Sequence, residues 1–274
     1  MFVIINIVET GKKKIKRGKT VSSVRDFHMS GGERFYIVDV CDSEKGVNWD
    51  DVSYFIGKHG KRVLMDENFS FSEFSSLERF SAKKFRNLLL FNTLEIVLRE
   101  MYLSGIRIRC VINDPKGLYD RNLSKIARFS AQTTVVTENN TRYFSEICDM
   151  YAKYGAGITV TDIIPEADEK TFIIDTTGEL DCAEKGYLFS PVKGIRPLSA
   201  DGFSHIKALC PPYIDTVDFL GAVYELNKDK SLDCACCSSL FFKNRKCPVS
   251  EMTDEIKCDM SAFYDNNKSI IFYL

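Results

Sequence analysis

Short apolar runs alternate with amphipathic stretches along the chain from about residue 35 to residue 175. Runs rich in β-branched and aromatic residues predict strands over 35–40, 62–66, 106–112, 133–137, 158–161 and 171–175. Between them, helical spacing predicts helices over 50–59, within 81–104, near 115–129 and after 138. In the long helix Phe85, Leu88, Leu89, Phe91, Leu94, Leu98 and Met101 recur on one wide face. In the last one Phe144, Ile147, Cys148 and Tyr151 stand at i, i+3, i+4 and i+7, so the pattern predicts that they point into the core. Gly60, Gly105 and Gly155 each precede a strand, as expected of residues that end a helix in the left-handed conformation.

Strands interleaved with helices imply right-handed crossovers onto a mostly parallel sheet covered on both faces. The expected fold class is therefore α/β, a doubly wound, mostly parallel sheet with an appended cysteine-rich C-terminal region. Three stretches follow: an N-terminal α/β portion over 1–104 that ends in the long helix, a βαβαβ core over 105–178, and a region over 179–274 packed on that core. In the last, Cys210-Pro211-Pro212 precedes a helix expected around 215–226, and 269–274 is expected to add an edge strand.

Composition narrows the class. The 274 residues are 45% hydrophobic and 27% charged, with Lys+Arg 37 against Asp+Glu 38. That balance argues against a nucleic-acid or membrane-surface partner, whose electrostatic footprint would be basic. The apolar residues 1–8 are followed, not preceded, by the basic run Lys12, Lys13, Lys14, Lys16, Arg17 and Lys19, the reverse of a signal peptide. A cytoplasmic location is expected. Thiols stay reduced there, so the Cys 10 of this chain read as buried apolar groups, metal ligands or redox groups in preference to bridges.

Gly18-Lys19-Thr20 resembles the end of a phosphate loop, but the glycine required five positions earlier is Lys13, and the stretch reads as a solvated loop. The order strand, helix, strand, helix, strand over 106–162 resembles the Rossmann dinucleotide-binding unit of the shikimate dehydrogenase and glutamyl-tRNA reductase type. In those families the first strand runs into a glycine-rich turn that lets a pyrophosphate approach a helix N-terminus. Here that turn is Asn113-Asp114-Pro115-Lys116-Gly117-Leu118-Tyr119, and only Gly117 remains. Asp114 and Pro115 together suit a helix start, the carboxylate taking the free N–H groups as Ncap and proline beginning the helix. Asp114 would then occupy the anion position with its own charge, offset in part by Lys116. The resemblance implies an NAD(P) site made of Asp114, Lys116, Gly117, Glu138, Asn139, Arg142 and Asp162. In it Glu138 takes the place of the ribose-binding acid, and Arg142 would favour a 2′-phosphate. Glu138-Asn139-Asn140 also reads as an ordinary helix start.

Two other groupings carry chemistry. Asp66, Asp114, Glu138, Asp162 and Asp175 all end or follow predicted strands, and spatial neighbours among them would suit Mg²⁺. Cys234, Cys236, Cys237, Cys247 and Cys258 fall close together and could supply ligands to zinc or an iron–sulfur cluster, although they lack two regular Cys-x₂₋₄-Cys knuckles. The other cysteines, Cys41, Cys110, Cys148, Cys182 and Cys210, read as core. His28, His59 and His205 stand in no recognisable relation to a nucleophile, and His59 lies where an imidazole meets a helix dipole. The expected function is noncatalytic: ligand sensing, with a nucleotide as candidate small molecule, or interaction with a protein partner. An NAD(P)-dependent oxidoreductase and a Mg²⁺-dependent phosphoryl-transfer or hydrolytic enzyme are the alternatives.

Overall fold

The computed structural model describes residues 1–9, 20–29, 34–42, 46–73, 75–180, 185–191, 196–197, 204–242, 245–254 and 256. The chain divides into two compact units, Met1–Phe85 with Ser199–Asp233, and Arg86–Leu198 with Cys234–Leu274. The region 179–274 is thus shared between the units. Gly18, Lys19, Cys182, Cys258 and residues 269–274 lie outside the described residues.

The first unit holds a four-stranded sheet of β1 (Phe2–Glu9), β2 (Val21–His28), β3 (Arg34–Asp42) and β4 (Val63–Met65), in the order β2-β3-β1-β4. β1 runs parallel to both β3 and β4, while β2 is antiparallel to β3. Residues 2–9, the apolar amino-terminal run, are thus an interior strand. Strand alternation sorts the side chains to two faces. Val3, Ile5, Val38 and Val40 join Val52 and Ile56 of α1 (Trp49–Ile56) in one apolar layer. Phe2 and Phe35, paired in register, stack at 5.3 Å and meet Phe219 of a later helix edge-on, at 5.9 and 5.5 Å. α1 ends at Gly57, at φ 56°, whereas Gly60 is helical at φ −57°, so the expected left-handed stop lies three residues earlier.

In the second unit, α2 (Lys83–Leu103) continues from the first. Its buried surface is wider than the apolar stripe, because Asn87 and Thr93 are also fully buried while Leu88 is only half-buried. β5 (Arg109–Asn113), α3 (Leu123–Ala127), β6 (Gln132–Val136), α4 (Phe144–Tyr154), β7 (Ile158–Thr161), β8 (Thr171–Asp175) and β9 (Tyr187–Phe189) then follow. The five strands form an all-parallel sheet in the order β7-β6-β5-β8-β9. Counted from β5, that order is third, second, first, fourth, fifth, which is compatible with a Rossmann-like sheet. The strands read from the sequence as one series are thus divided between two sheets. β10 (Arg196–Pro197), β11 (Cys237–Phe242) and β12 (Arg245–Pro248) make a small antiparallel sheet in this unit. α5 (Ser204–Lys207) and α6 (Thr216–Leu226) belong to the first unit, and Asp215 caps α6 by accepting the Asp218 N–H at 2.9 Å.

Two helical expectations fail locally. The helix read over 115–129 is only α3, preceded by a 3₁₀ turn over 120–122, so Asp114 and Pro115 start no helix. The face read as inward on α4 is turned outward: Phe144 and Tyr151 are each 70% exposed, Cys148 is exposed, and Met150 is the buried residue of the helix. The left-handed Gly155 ends α4 as expected, its N–H bonded to the Tyr151 carbonyl.

Candidate functional site

In a sheet of this order, ligands bind where the strand sequence reverses, beyond the carboxyl ends of the first and fourth strands. Those strands are β5 and β8, and their last residues, Asn113 and Asp175, are partners in register. The Asn113 side-chain amide donates to Asp175 at 2.9 Å. The Thr176 N–H and hydroxyl both reach the Asn113 carbonyl, at 3.0 and 2.8 Å. Asp175 is fully buried and also accepts the Thr177 N–H and hydroxyl and, at 2.9 Å, the Leu180 N–H. Asn87, one turn into α2, donates to the Thr176 carbonyl and to the Tyr119 hydroxyl. The strand ends are joined by their own polar groups.

Asp114 fills the next position. It is 2% exposed, and one of its oxygens accepts the Tyr119 N–H at 2.8 Å and the Tyr143 hydroxyl at 2.7 Å. Burial, and after it the charge and hydrogen bond of Asp114, push the Tyr143 hydroxyl well above the usual tyrosine range, which keeps it a donor. Gly117, at φ +64°, bends the turn back so closely that a Cβ there would lie 3.1 Å from the Cβ of Arg142. The glycine kept from the dinucleotide pattern thus admits the stem of Arg142. The Glu138 N–H and the Thr137 hydroxyl both donate to the Pro115 carbonyl, which ties the end of β6 to this turn.

The seven residues implied by the resemblance separate accordingly. Asp114 and Gly117 are buried and engaged, Asn139 is half-buried at the start of the 3₁₀ turn before α4, and Lys116, Glu138, Arg142 and Asp162 are exposed. Of the acids at strand ends, Asp66 belongs to the first sheet, and Asp114 and Asp175 are taken up as described. The sequence reading missed Asn87, Asn113, Tyr143 and Thr176. Asn87 sits on the face of α2 that faces the core, and a polar residue inside an apolar helical stripe was the available signal.

Cys237 and Cys247 are buried, Cys236 is half-buried and Cys234 is exposed. Among the described residues no three His, Cys, Asp or Glu side chains gather as metal ligands would. Cys237 lies against α2, its N–H donating to Thr93 at 2.8 Å. Burial pushes its thiol up to about 12 and that of Cys210 to about 11, and it raises Cys110 and Cys236 as well. The thiolate is the reactive form, so these groups should be inert at neutral pH. In an Ellman titration at low micromolar protein and pH 8, Cys148→Ser should remove one equivalent from the fast phase, and Cys110→Ser and Cys237→Ser should leave it unchanged. A fast-phase loss in either of the last two variants would overturn this assignment. A folded pKa raised above the unfolded value means stability that is present below pH 9.0 and lost as pH rises toward 12.

The histidines form no catalytic group with these residues. His28 lies 3.3 Å from Asp26, and His205 is exposed on α5. Burial, then Lys58 and Arg62, lower the pKa of His59, and its Nδ1 is buried without a partner. His59 stands in the last turn of a 3₁₀ helix over 57–59.

No family model matches the chain, and no curated protein does. Among solved structures, L-tryptophan dehydrogenase from Nostoc punctiforme is similar at 12% identity and a TM-score of 0.29, over 74% of this chain and 64% of that one. A likeness at that level bears on neither site nor activity. Among the described residues, no helix is long and apolar enough to cross a membrane.

Proposed function

We propose that the chain is a noncatalytic protein-interaction module on a Rossmann-like scaffold whose dinucleotide cradle is taken over by its own side chains. The observation that carries this reading is the Asp114 carboxylate, buried at the end of β5 and bonded to the Tyr119 N–H and the Tyr143 hydroxyl. A phosphate charge brought to about 4 Å from that carboxylate meets a repulsion on the order of 4 kcal/mol at an effective dielectric of 20. That is about a thousandfold in affinity. The joining of β5 to β8 through Asn113, Asp175 and Thr176 supports the same reading, since it uses the groups that would otherwise face a ligand in the crevice.

Thermal unfolding tests it. A ligand present at 100 times its Kd stabilises the native state by about 2.7 kcal/mol, enough for a shift of several degrees. NAD⁺, NADH, NADP⁺ and NADPH, each near 1 mM, should leave the melting temperature unchanged, as should Mg²⁺ with ATP. A shift of several degrees with a nicotinamide cofactor would overturn the reading in favour of an oxidoreductase, and one that needs Mg²⁺ would favour a phosphoryl-transfer enzyme.

A further inference from the structure

Burial alternates along the cysteine run at the start of β11, all of it within the second unit. Cys234 is exposed, Ala235 is 2% exposed, Cys236 is half-buried and Cys237, the first residue of β11, is fully buried. A period of two is that of extended chain, in which residues i and i+2 share a face and lie about 6.6 Å apart along the backbone. Cys234 and Cys236 therefore stand together on the outer face, and Cys237 on the inner one. The run is anchored from beneath. The Asn92 side-chain amide of α2 donates to the Ala235 carbonyl at 2.7 Å, and the Cys237 N–H donates to Thr93 one residue further along the helix. The Cys236 thiol donates to the Cys234 carbonyl at 3.5 Å, which lays its sulfur back toward its neighbour. Lys125 of α3 is held close by, its ammonium bonded to the Asn92 carboxamide oxygen. Charge couples these groups: burial, then Cys234 and Glu95, raise the Cys236 pKa, and Lys125 lowers it. Glu95 is itself paired with Arg128.

We infer that Cys234 and Cys236 form a two-coordinate thiolate site for a soft monovalent cation, Cu(I). Three observations select it. Both donors are sulfur, the ligand type that selects Cu(I) over harder cations. The alternation brings two of them to one face, whereas a structural zinc site takes four ligands and an iron–sulfur cluster as many cysteines. The surrounding charge also fits. As two S–Cu bonds form, both thiols give their protons to solvent, and the resulting bis-thiolate complex carries a single negative charge beside the Lys125 ammonium. Burial keeps the Cys236 sulfur protonated at neutral pH and so slow to alkylate, but a thiophilic cation displaces that proton as it binds. Because Asn92 and Thr93 already hold the loop, the sulfurs meet the ion with little ordering left to do. The site does not depend on the interaction reading above.

Cu(I) titrated anaerobically into the reduced full chain, against the chelator bathocuproine disulfonate, should be taken up to about one equivalent per chain. Cys234→Ser and Cys236→Ser should each lose more than the roughly 100-fold in affinity that removing a group behind a metal ligand can cost. Cys148→Ser should bind as the wild type does. Cys234 is exposed, so the melting temperature of metal-free Cys234→Ser should match that of the wild type, which separates a lost ligand from a lost fold. X-ray absorption of the copper-loaded protein should show two sulfur neighbours. A wild type that leaves all the copper with the chelator overturns the inference, as does equal uptake by both serine variants or a copper ion bound through nitrogen or oxygen. Zinc held as tightly as Cu(I) would overturn the choice of metal.

Discussion

Asp175→Ala should destabilise the protein by about 2–4 kcal/mol and lower its melting temperature by roughly 10 °C. The carboxylate is fully buried and accepts from the Asn113 amide, the Thr177 N–H and hydroxyl, and the Leu180 N–H. Alanine leaves every one of these donors without its acceptor. The Asn113 amide is itself buried and water cannot replace its partner, so this donor alone costs about 1–3 kcal/mol. The two loop N–H groups are less enclosed, and losing them frees the turn that follows β8. Asp175→Asn keeps one accepting oxygen and should lose about half as much. Urea denaturation of the three proteins measures the series; a loss below about 1 kcal/mol for the alanine variant would show that water or a rearranged loop takes the place of the carboxylate.

How the sequence could show one part of this and hide another follows from the physics of each signal. β7 and β8 were read at their true bounds and α2 within two residues, because β-branched runs and a long apolar stripe report burial directly. The division of the strands between two sheets was not legible. An apolar strand such as 63–65 looks the same whichever sheet takes it, and pairing partners lie far apart in the chain. The turn after β5 was half legible. The lost glycines and the acid in their place were plain, and Asp114 is buried in that turn without starting a helix. Its donors, however, are Tyr119 and Tyr143, one of them 29 residues away, and no local rule names such a partner. α4 misled for a different reason. Its periodicity is that of an amphipathic helix, and the apolar stripe is real, but periodicity does not say what covers the stripe.

Asp114→Ala should cost about 2–4 kcal/mol, and inorganic phosphate should restore part of the loss. The carboxylate is the acceptor for the Tyr119 N–H and the buried Tyr143 hydroxyl, so alanine strands two donors, each at about 1–3 kcal/mol. The lost negative charge works the other way for an added anion, because the carboxylate's repulsion is gone and two donors are left without an acceptor. Asp114→Ala should therefore gain several degrees in melting temperature in about 50 mM phosphate relative to chloride at equal ionic strength, while the wild type gains none. Asp114→Asn keeps an accepting oxygen and should be intermediate in stability. The Tyr143 hydroxyl adds a pH signature: its pKa is raised in the folded wild type, so its contribution is present below the ordinary value of 10.0 and is lost as pH rises above it. Without the Asp114 charge that loss should be smaller, which a comparison of urea midpoints at pH 8 and pH 11 would measure. An equal response to phosphate in wild type and variant would mean that the anion acts elsewhere, and the carboxylate would then no longer support the proposal that this turn has no place for a dinucleotide.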